Sequence, residues 1–409
     1  MCSNSCDCVD DFAIYAPDAA PAACSACKTC GGEADLVLRK RDPYCKPCFL
    51  SNCTHKFRST LGKSRLMKPG DNVLICFSGG PASAAMVRFV LEGLSEEAHK
   101  RFLFKPSILH VNDSVVLGDQ SDLTDLSKLM KDSGLPYHIV PLELVYAEDP
   151  LCFDSCTNND ELRQTFTTTY NSFSNLTDRE EFYKLTLRKL IVRAARDNGF
   201  NKIFTGETGT MLAARLLSTL AVGRGAQIRD ESGFVDSRDQ AVMILRPMRE
   251  FSSKEVALFN FHSGVEHRVQ RTLTTGREPR ASIARLTENF VNGLQADFPS
   301  TVSTVWRTGD KLVARESSKG TCKVCGSKLD CVSSPAASAV NALELTRKLS
   351  RLSIGSKDET SDDVYDVMCY ACRNLSDKVD LCRLPLGGKK VAGTAPLDDR
   401  TLLPDHEPA

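Results

Sequence analysis

Between about residues 70 and 245 the apolar positions come as short unbroken runs, and the stretches between them follow helical spacing. Asn72-Val-Leu-Ile-Cys-Phe77 has no polar position in its middle, which predicts a strand buried on both faces; a strand with one wet face would alternate. A turn, Ser78-Gly79-Gly80-Pro81-Ala82-Ser83, follows, and a helix is predicted over 84–94. Further strands are predicted at 107–111, 137–141, 202–205 and 241–245, with a long helix over 181–198 before the fourth. Such alternation predicts an α/β fold, a doubly wound and mostly parallel sheet with helices on both faces. Its ligand crevice would open at the carboxyl ends of the strands.

Composition limits the alternatives. With 42% hydrophobic and 25% charged residues the chain is neither disordered throughout nor collagen-like. Its 409 residues exceed one ordinary core, so a main domain and smaller modules are expected. No apolar run reaches the roughly 18 residues that cross a bilayer, and the early acids Asp7, Asp10 and Asp11 do not resemble a signal region. A cytoplasmic chain without a membrane partner is expected. Lys plus Arg and Asp plus Glu number 52 each, so any argument for a polyanionic partner has to be local.

Eighteen cysteines are many for a reducing compartment, where they serve as metal ligands, reactive thiols or buried small hydrophobes. Cys24-Ser-Ala-Cys27 and Cys45-Lys-Pro-Cys48 are seventeen residues apart, the spacing of a zinc ribbon. Two such turns close a tetrahedral S4 site with no open position, which makes the ion structural. Leu36-Val-Leu38 between them reads as a short strand, and Cys30 and Cys53 are spare ligands. Cys322-Lys-Val-Cys325 and Cys369-Tyr-Ala-Cys372 form a second such pair, separated by a Ser-, Pro- and acid-rich stretch at 331–366 that reads as a disordered insertion. Two structural zinc sites are therefore expected. Cys331 and Cys382 stay unassigned, and no metal role is expected for Cys2, Cys6 and Cys8.

These features divide the chain into a flexible start (1–20), a zinc module with a basic extension (21–65), the α/β domain (66–310), a second zinc module (311–385) and a flexible tail (386–409). In the basic extension, nine Lys or Arg stand between Arg39 and Lys68 against one acid, Asp42. Tyr44, Phe49 and Phe57 are interleaved, which suits phosphate neutralisation and stacking on bases. RNA contact is assigned to Lys56, Arg58, Lys63, Arg65 and Lys68. A weaker basic series runs through Arg268, Arg271, Arg277, Arg280 and Arg285, while some of Arg188, Lys189, Arg193 and Arg196 are expected as solvent-facing helix charges.

The turn Ser78-Gly79-Gly80 with Ser83 sits where glycine amides and a helix N-terminus could cradle a phosphate. Taken with the flanking CxxC pairs, the Leu-His-Val-Asn strand ending at Asn112, the Thr205-Gly206 turn and Arg246-Pro-Met-Arg-Glu250, it resembles the PP-loop ATP pyrophosphatase family of tRNA thiolases over about residues 20–385. The resemblance implies an adenine nucleotide alpha hydrolase-like fold flanked by zinc ribbons. It also implies cytosolic 2-thiolation of the wobble uridine, position 34, in tRNAs for lysine, glutamate and glutamine, with sulfur from a thiocarboxylated ubiquitin-like modifier.

This chain departs from the family motifs. Where the family has SerGlyGly-x-Asp-Ser, the x and the aspartate are Pro81 and Ala82, so a carboxylate that would help hold magnesium is gone. The second motif, Gly-His-Asn-x-Asp-Asp, reads Gly206-Glu207-Thr208-Gly209-Thr210-Met211. Cys152 and Cys156 lie near the family's central cysteine pair, but no cysteine occurs from 157 to 321 to supply a third ligand. Cys76, Cys152 and Cys156 then read as core or surface thiols, with a transient persulfide role for Cys152 or Cys156 as the alternative, and His110 and Asp113 as structural. The expectation is a non-catalytic subunit, without bound ATP or an iron-sulfur cluster, that forms a heterodimer with the catalytic thiolation subunit, binds tRNA and meets the sulfur carrier indirectly. The alternative is an ATP-dependent tRNA sulfurtransferase in its own right.

Overall fold

The computed structural model describes residues 26–376 except 40, 99, 119–122, 270, 313–319 and 330–367. The expected flexible start and tail and the expected insertion lie outside the described residues, as does Cys24. A two-stranded ribbon of β1 (Leu36–Leu38) and β2 (Asp42–Tyr44) leads into helix α1 (Lys46–Ser64). Then follow β3 (Asn72–Cys76), α2 (Pro81–Leu94), β4 (Lys105–Asn112), α3 (Ser114–Leu117), α4 (Leu123–Asp132) and β5 (Tyr137–Pro141). Helices α5 (Asp160–Ser172) and α6 (Leu176–Asp197) precede β6 (Lys202–Phe204), α7 (Gly209–Ala221), α8 (Ile228–Ser232), β7 (Val235–Asp236) and β8 (Met243–Leu245). Helices α9 (Ser253–Ser263), α10 (Ile283–Asp297), α11 (Pro299–Lys311) and α12 (Tyr370–Ser376) complete the described chain.

The main sheet has six strands in the order β5-β4-β3-β6-β8-β7, and every pairing is parallel except that of β7 with β8. Strand β3 at its centre explains the unbroken apolar run: Val73 and Ile75 face one core and Leu74 the other. On the first face lie α1, α2 and α9. Their aromatic rings meet there, with Phe89 against Phe259 at 4.2 Å and Phe57 stacked on Phe89 at 5.0 Å. On the second face lie α5 and α6 with Phe166, Phe173 and Phe182. A satellite cluster around Trp306 joins α7, α10 and α11.

The middle of the basic extension is helix α1. Its apolar residues Phe49, Cys53, Phe57 and Leu61 recur every four positions and pack into the core of the α/β domain, so this segment is not a detached appendage of a zinc module. Phe57→Ala should therefore destabilise the fold by about 3–5 kcal/mol. Lys63→Ala, on the exposed side of the same helix, should change stability by less than about 0.5 kcal/mol. Urea unfolding of the two variants checks the pair, and similar midpoints would mean that α1 is not part of the core.

Candidate functional site

The turn after β3 is closed on itself. The Gly80 amide donates to Ser78 Oγ at 3.3 Å, Ser83 Oγ donates to the Gly80 carbonyl at 3.0 Å, and the two serine hydroxyls lie 3.2 Å apart. Pro81 is the first residue of α2, a position that suits its fixed φ, but it brings no N–H. One amide that could face an anion is thereby removed from the helix start. Leu126 of α4 packs against Gly79, and the backbone amide of Arg268 donates to the Gly79 carbonyl at 2.8 Å. Ser78, Gly79, Gly80 and Ser83 are thus brought together, with the two serine hydroxyls facing each other.

The turn after β6 abuts this loop, since a Cβ on Gly206 would lie 3.0 Å from the Ser83 amide nitrogen. Glu207, in place of the family's histidine, is held by Arg246 Nε at 2.7 Å, by Arg215 and by the Thr205 hydroxyl at 3.1 Å. Burial alone would raise its pKa; Arg215 and Arg246 outweigh burial and keep the carboxyl below its ordinary value. Thr208 caps α7, its Oγ1 accepting from the Met211 amide, while Thr210 Oγ1 donates to Gln295 of α10 at 2.9 Å. The second motif is therefore occupied by an ion group and by helix caps.

His110 and Asp113, which could touch a nucleotide, are tied up. His110 Nδ1 lies 2.9 Å from the Phe77 carbonyl, and the Tyr183 hydroxyl donates to Asp113 at 2.6 Å.

The cysteines form two quartets whose sulfurs lie within 4.8 Å of one another. One is Cys322, Cys325, Cys369 and Cys372, as the spacing predicts. The other is Cys27, Cys30, Cys45 and Cys48; Cys30, read as a spare ligand, completes it, and Cys24 is not among the described residues. The two quartets are built alike. In each, a Cys-Lys-x-Cys-Gly turn places a glycine at φ +75°, Gly31 or Gly326, whose amide donates to the carbonyl of the first cysteine at 2.8 Å. Each turn is closed by an antiparallel bridge, Ala26 with Glu33 and Thr321 with Lys328. The second pair in each begins a helix: the Phe49 amide bonds the Cys45 carbonyl and the Arg373 amide the Cys369 carbonyl, both at 2.9 Å. The glycine after the second cysteine is the sequence signal that favours Cys30, because a left-handed residue there is easiest without a Cβ.

Sulfur separations of 3.6 Å for Cys30 and Cys45 and 3.8 Å for Cys325 and Cys369 fit one ion. A tetrahedron with Zn–S of about 2.3 Å puts its sulfurs roughly 3.8 Å apart. An iron-sulfur cubane ligated by four cysteines, one to each iron, needs a wider cage. Crowded thiols cannot all ionise together. Hydrogen bonds from Cys322, Cys369 and Cys372 push Cys325 well down, whereas Cys372 is pushed up by its hydrogen bonds with Cys322, Cys325 and Cys369.

A family model described as Cytoplasmic tRNA 2-thiolation protein 2 matches residues 282–374. The protein of that name from Danio rerio is 32% identical, over 88% of this chain and 89% of its own length. The chain belongs to the cytoplasmic tRNA 2-thiolation protein 2 family. The Homo sapiens protein is 31% identical over 93% of both chains, and protein 2-A of Xenopus laevis 34% over 80% of this chain and 76% of its own. Among solved structures, the U34-tRNA thiolase NcsA from Methanococcus maripaludis, with its [4Fe-4S] cluster, has a similar fold: TM-score 0.55, 18% identity, covering 76% of this chain and 94% of that one.

In this chain, half of the expected RNA footprint points inward. Phe49 and Phe57 have no exposed surface, so they cannot stack on bases. Lys56 Nζ is paired with Glu255 at 2.6 Å over the Phe251 ring, and Arg58 donates to the Lys100 carbonyl and covers Phe102. Lys63, Arg65 and Lys68 remain exposed. The charges of α6 are not plain surface charges either. Arg188 makes two bonds to buried Asp236 at 2.8 and 3.0 Å, Arg193 bonds the Ala147 and Asp149 carbonyls, Arg196 pairs with Asp239, and Lys189 Nζ is buried. Cys76 is in the core, where burial pushes its thiol up to about 12. Cys152 is exposed, and Cys156 donates to its carbonyl at 3.1 Å.

A titration follows from the acid cluster beside the site. Burial would raise the Glu231 carboxyl, but Arg238, at 2.8 Å, with Arg224 and Arg215, holds it at about 2 instead of 4.5. A carboxyl lowered on folding stabilises the fold above its unfolded pKa and loses that contribution as the pH falls toward the folded one. The stability gap between wild type and Glu231→Gln, measured as urea midpoints, should therefore be full above pH 4.5 and shrink toward pH 2.

Proposed function

We propose that the chain is a non-catalytic subunit of the cytosolic machinery that 2-thiolates the wobble uridine of tRNA, paired with a catalytic subunit. The observation that carries this is the ion group of Glu207, Arg215 and Arg246 beside a loop that has Pro81 and Ala82 in place of a free amide and a carboxylate. Thiolation needs the uridine oxygen turned into a leaving group, which an adenylating site achieves with magnesium and a triphosphate. A carboxylate already engaged by two arginines and a loop whose serine hydroxyls bond one another are poorly suited to holding magnesium and a triphosphate. The family to which the chain belongs supports a role in tRNA thiolation.

On this reading both quartets hold structural zinc, and the sulfur spacing supports it. Transfer RNA is met by Lys63, Arg65 and Lys68 at the carboxyl end of α1. Arg65, the C-cap residue with a left-handed backbone at φ 53°, also complements the negative end of the helix. A ubiquitin-like sulfur carrier is met through the partner and not by this chain alone.

Wobble-uridine tRNA from cells lacking the chain should lose its retardation in a mercury-containing gel. Wild type and the double variant Ser78→Ala, Ser83→Ala should restore it equally. Restoration by wild type alone would make the loop part of the chemistry and overturn the non-catalytic reading, as would ATP hydrolysis by the isolated chain. Reversing Lys63, Arg65 and Lys68 to Glu should weaken tRNA binding by the complex and lower the slope of log affinity against log salt by about 1 for each lost phosphate contact. An unchanged slope would remove these three residues from the interface.

A further inference from the structure

The two cysteine quartets share a design and differ in their surroundings. Cys30 is exposed and Cys45 and Cys48 are half-buried, whereas Cys322, Cys325, Cys369 and Cys372 are all buried. The C-terminal four belong to the same apolar cluster as Leu74 of β3, Leu190 of α6 and Ile244 of β8, so this knuckle is part of the core of the α/β domain. Two cations of the domain reach it. Arg224, just after α7, has a nearly buried side chain with Nη2 4.0 Å from Cys372 Sγ. Lys189 of α6 has its ammonium buried without a hydrogen-bond partner, and the neighbours that favour its charge are Cys372, Cys325 and Cys322.

Four thiolates around a divalent ion carry a net charge of −2. Charge of that size inside a core has to be matched, and a buried ammonium without a partner is itself costly. We propose that Lys189 and Arg224 are the counter-charges of a divalent metal tetrathiolate in the C-terminal quartet, so that the ion fastens this knuckle to the α/β domain and completes its core.

This rests on the metal reading above. Arg224 shares its charge with Glu181 at 3.1 Å, whereas the buried Lys189 ammonium has no hydrogen-bond partner among the described residues, and the sulfurs are the charges that most favour it. Two further contacts fix the same junction. Arg238 Nη1 donates to the buried Ser327 Oγ at 3.1 Å, and Tyr370 packs against Gly223. Loss of the ion would leave these contacts holding four thiols and an unmatched ammonium.

The test uses the full chain with Cys48→Ser, which disables the other quartet, and reads zinc by chelator competition and unfolding by near-UV circular dichroism. Lys189→Met should weaken zinc binding by about 10- to 100-fold, the usual loss for a group that supports metal ligands, while Lys189→Arg should stay within a few-fold. The unfolding shift should also change sign. With zinc, Lys189→Met should melt below its parent; with chelator it should melt above it, since the unmatched ammonium is gone. Lys189→Gln makes the same comparison if the methionine variant does not fold. Zinc held equally tightly by parent and variant, with shifts of the same sign in both conditions, would overturn the counter-charge role and leave the metal reading standing. A parent that takes up no zinc would overturn the metal reading itself, and this proposal with it.

Discussion

A carboxylate or guanidinium taken out of water costs several kcal/mol unless an opposite charge with good geometry meets it there. The carboxyl end of the sheet and the helices around it are arranged to meet that demand. Asp236 on the edge strand β7 accepts from Arg188 of α6 and from Arg238, and Arg238 reaches on to Glu231 of α8 and to Ser327 in the C-terminal knuckle. Arg246, at the end of β8, bridges Glu207 to the carbonyls of Gly233 and Asp230. Removing a member leaves a buried partner with less counter-charge, so helix, edge strand, turn and knuckle are tied together by charge as well as by apolar contact.

The same demand separates the two cysteine quartets. A site at the surface can leave part of its charge to water, and the Cys27 quartet, with Cys30 exposed, is of that kind. A quartet inside the core has no such recourse. Its knuckle is therefore bound to the rest of the chain by the cations that face it, and although the local turn is the same in both places, the energetic role differs.

Much of the fold was legible in the sequence. The unbroken apolar runs located β3, β4, β5, β6 and β8 within a few residues, because strands covered on both faces leave no polar register to confuse the reading. Edge strand β7 has only two residues and no pattern of its own. Helix α1 was obscured by composition: its charges suggested RNA, while Phe49, Cys53, Phe57 and Leu61 carried a core-facing period of four. The ligand set of the first quartet was ambiguous because Cys24, Cys27 and Cys30 form two overlapping CxxC pairs, and spacing cannot rank them. Only the glycine after Cys30, matched by the glycine after Cys325, does so. The charges of α6 misled for a related reason: periodicity reports which face is apolar, not whether a partner on another element will bury a cation.

The altered nucleotide loop is more than a site with ligands deleted. Pro81 removes an amide and at the same time starts α2 with its φ already set, and its carbonyl accepts from Asn260 of α9 at 2.9 Å. Thr208 and Thr210 give up the polar lining of the crevice and become a helix cap and a bond to α10. Glu207 stands in the turn beside the loop and engages two guanidinium groups, Arg215 and Arg246. Pro81, Glu207, Thr208 and Thr210, which depart from the motifs, all make contacts within the fold. On the proposed non-catalytic reading, a carboxylate restored at position 82 alone would not restore the site: the missing amide at Pro81, the serines bonded to each other and the engaged arginines are separate obstacles.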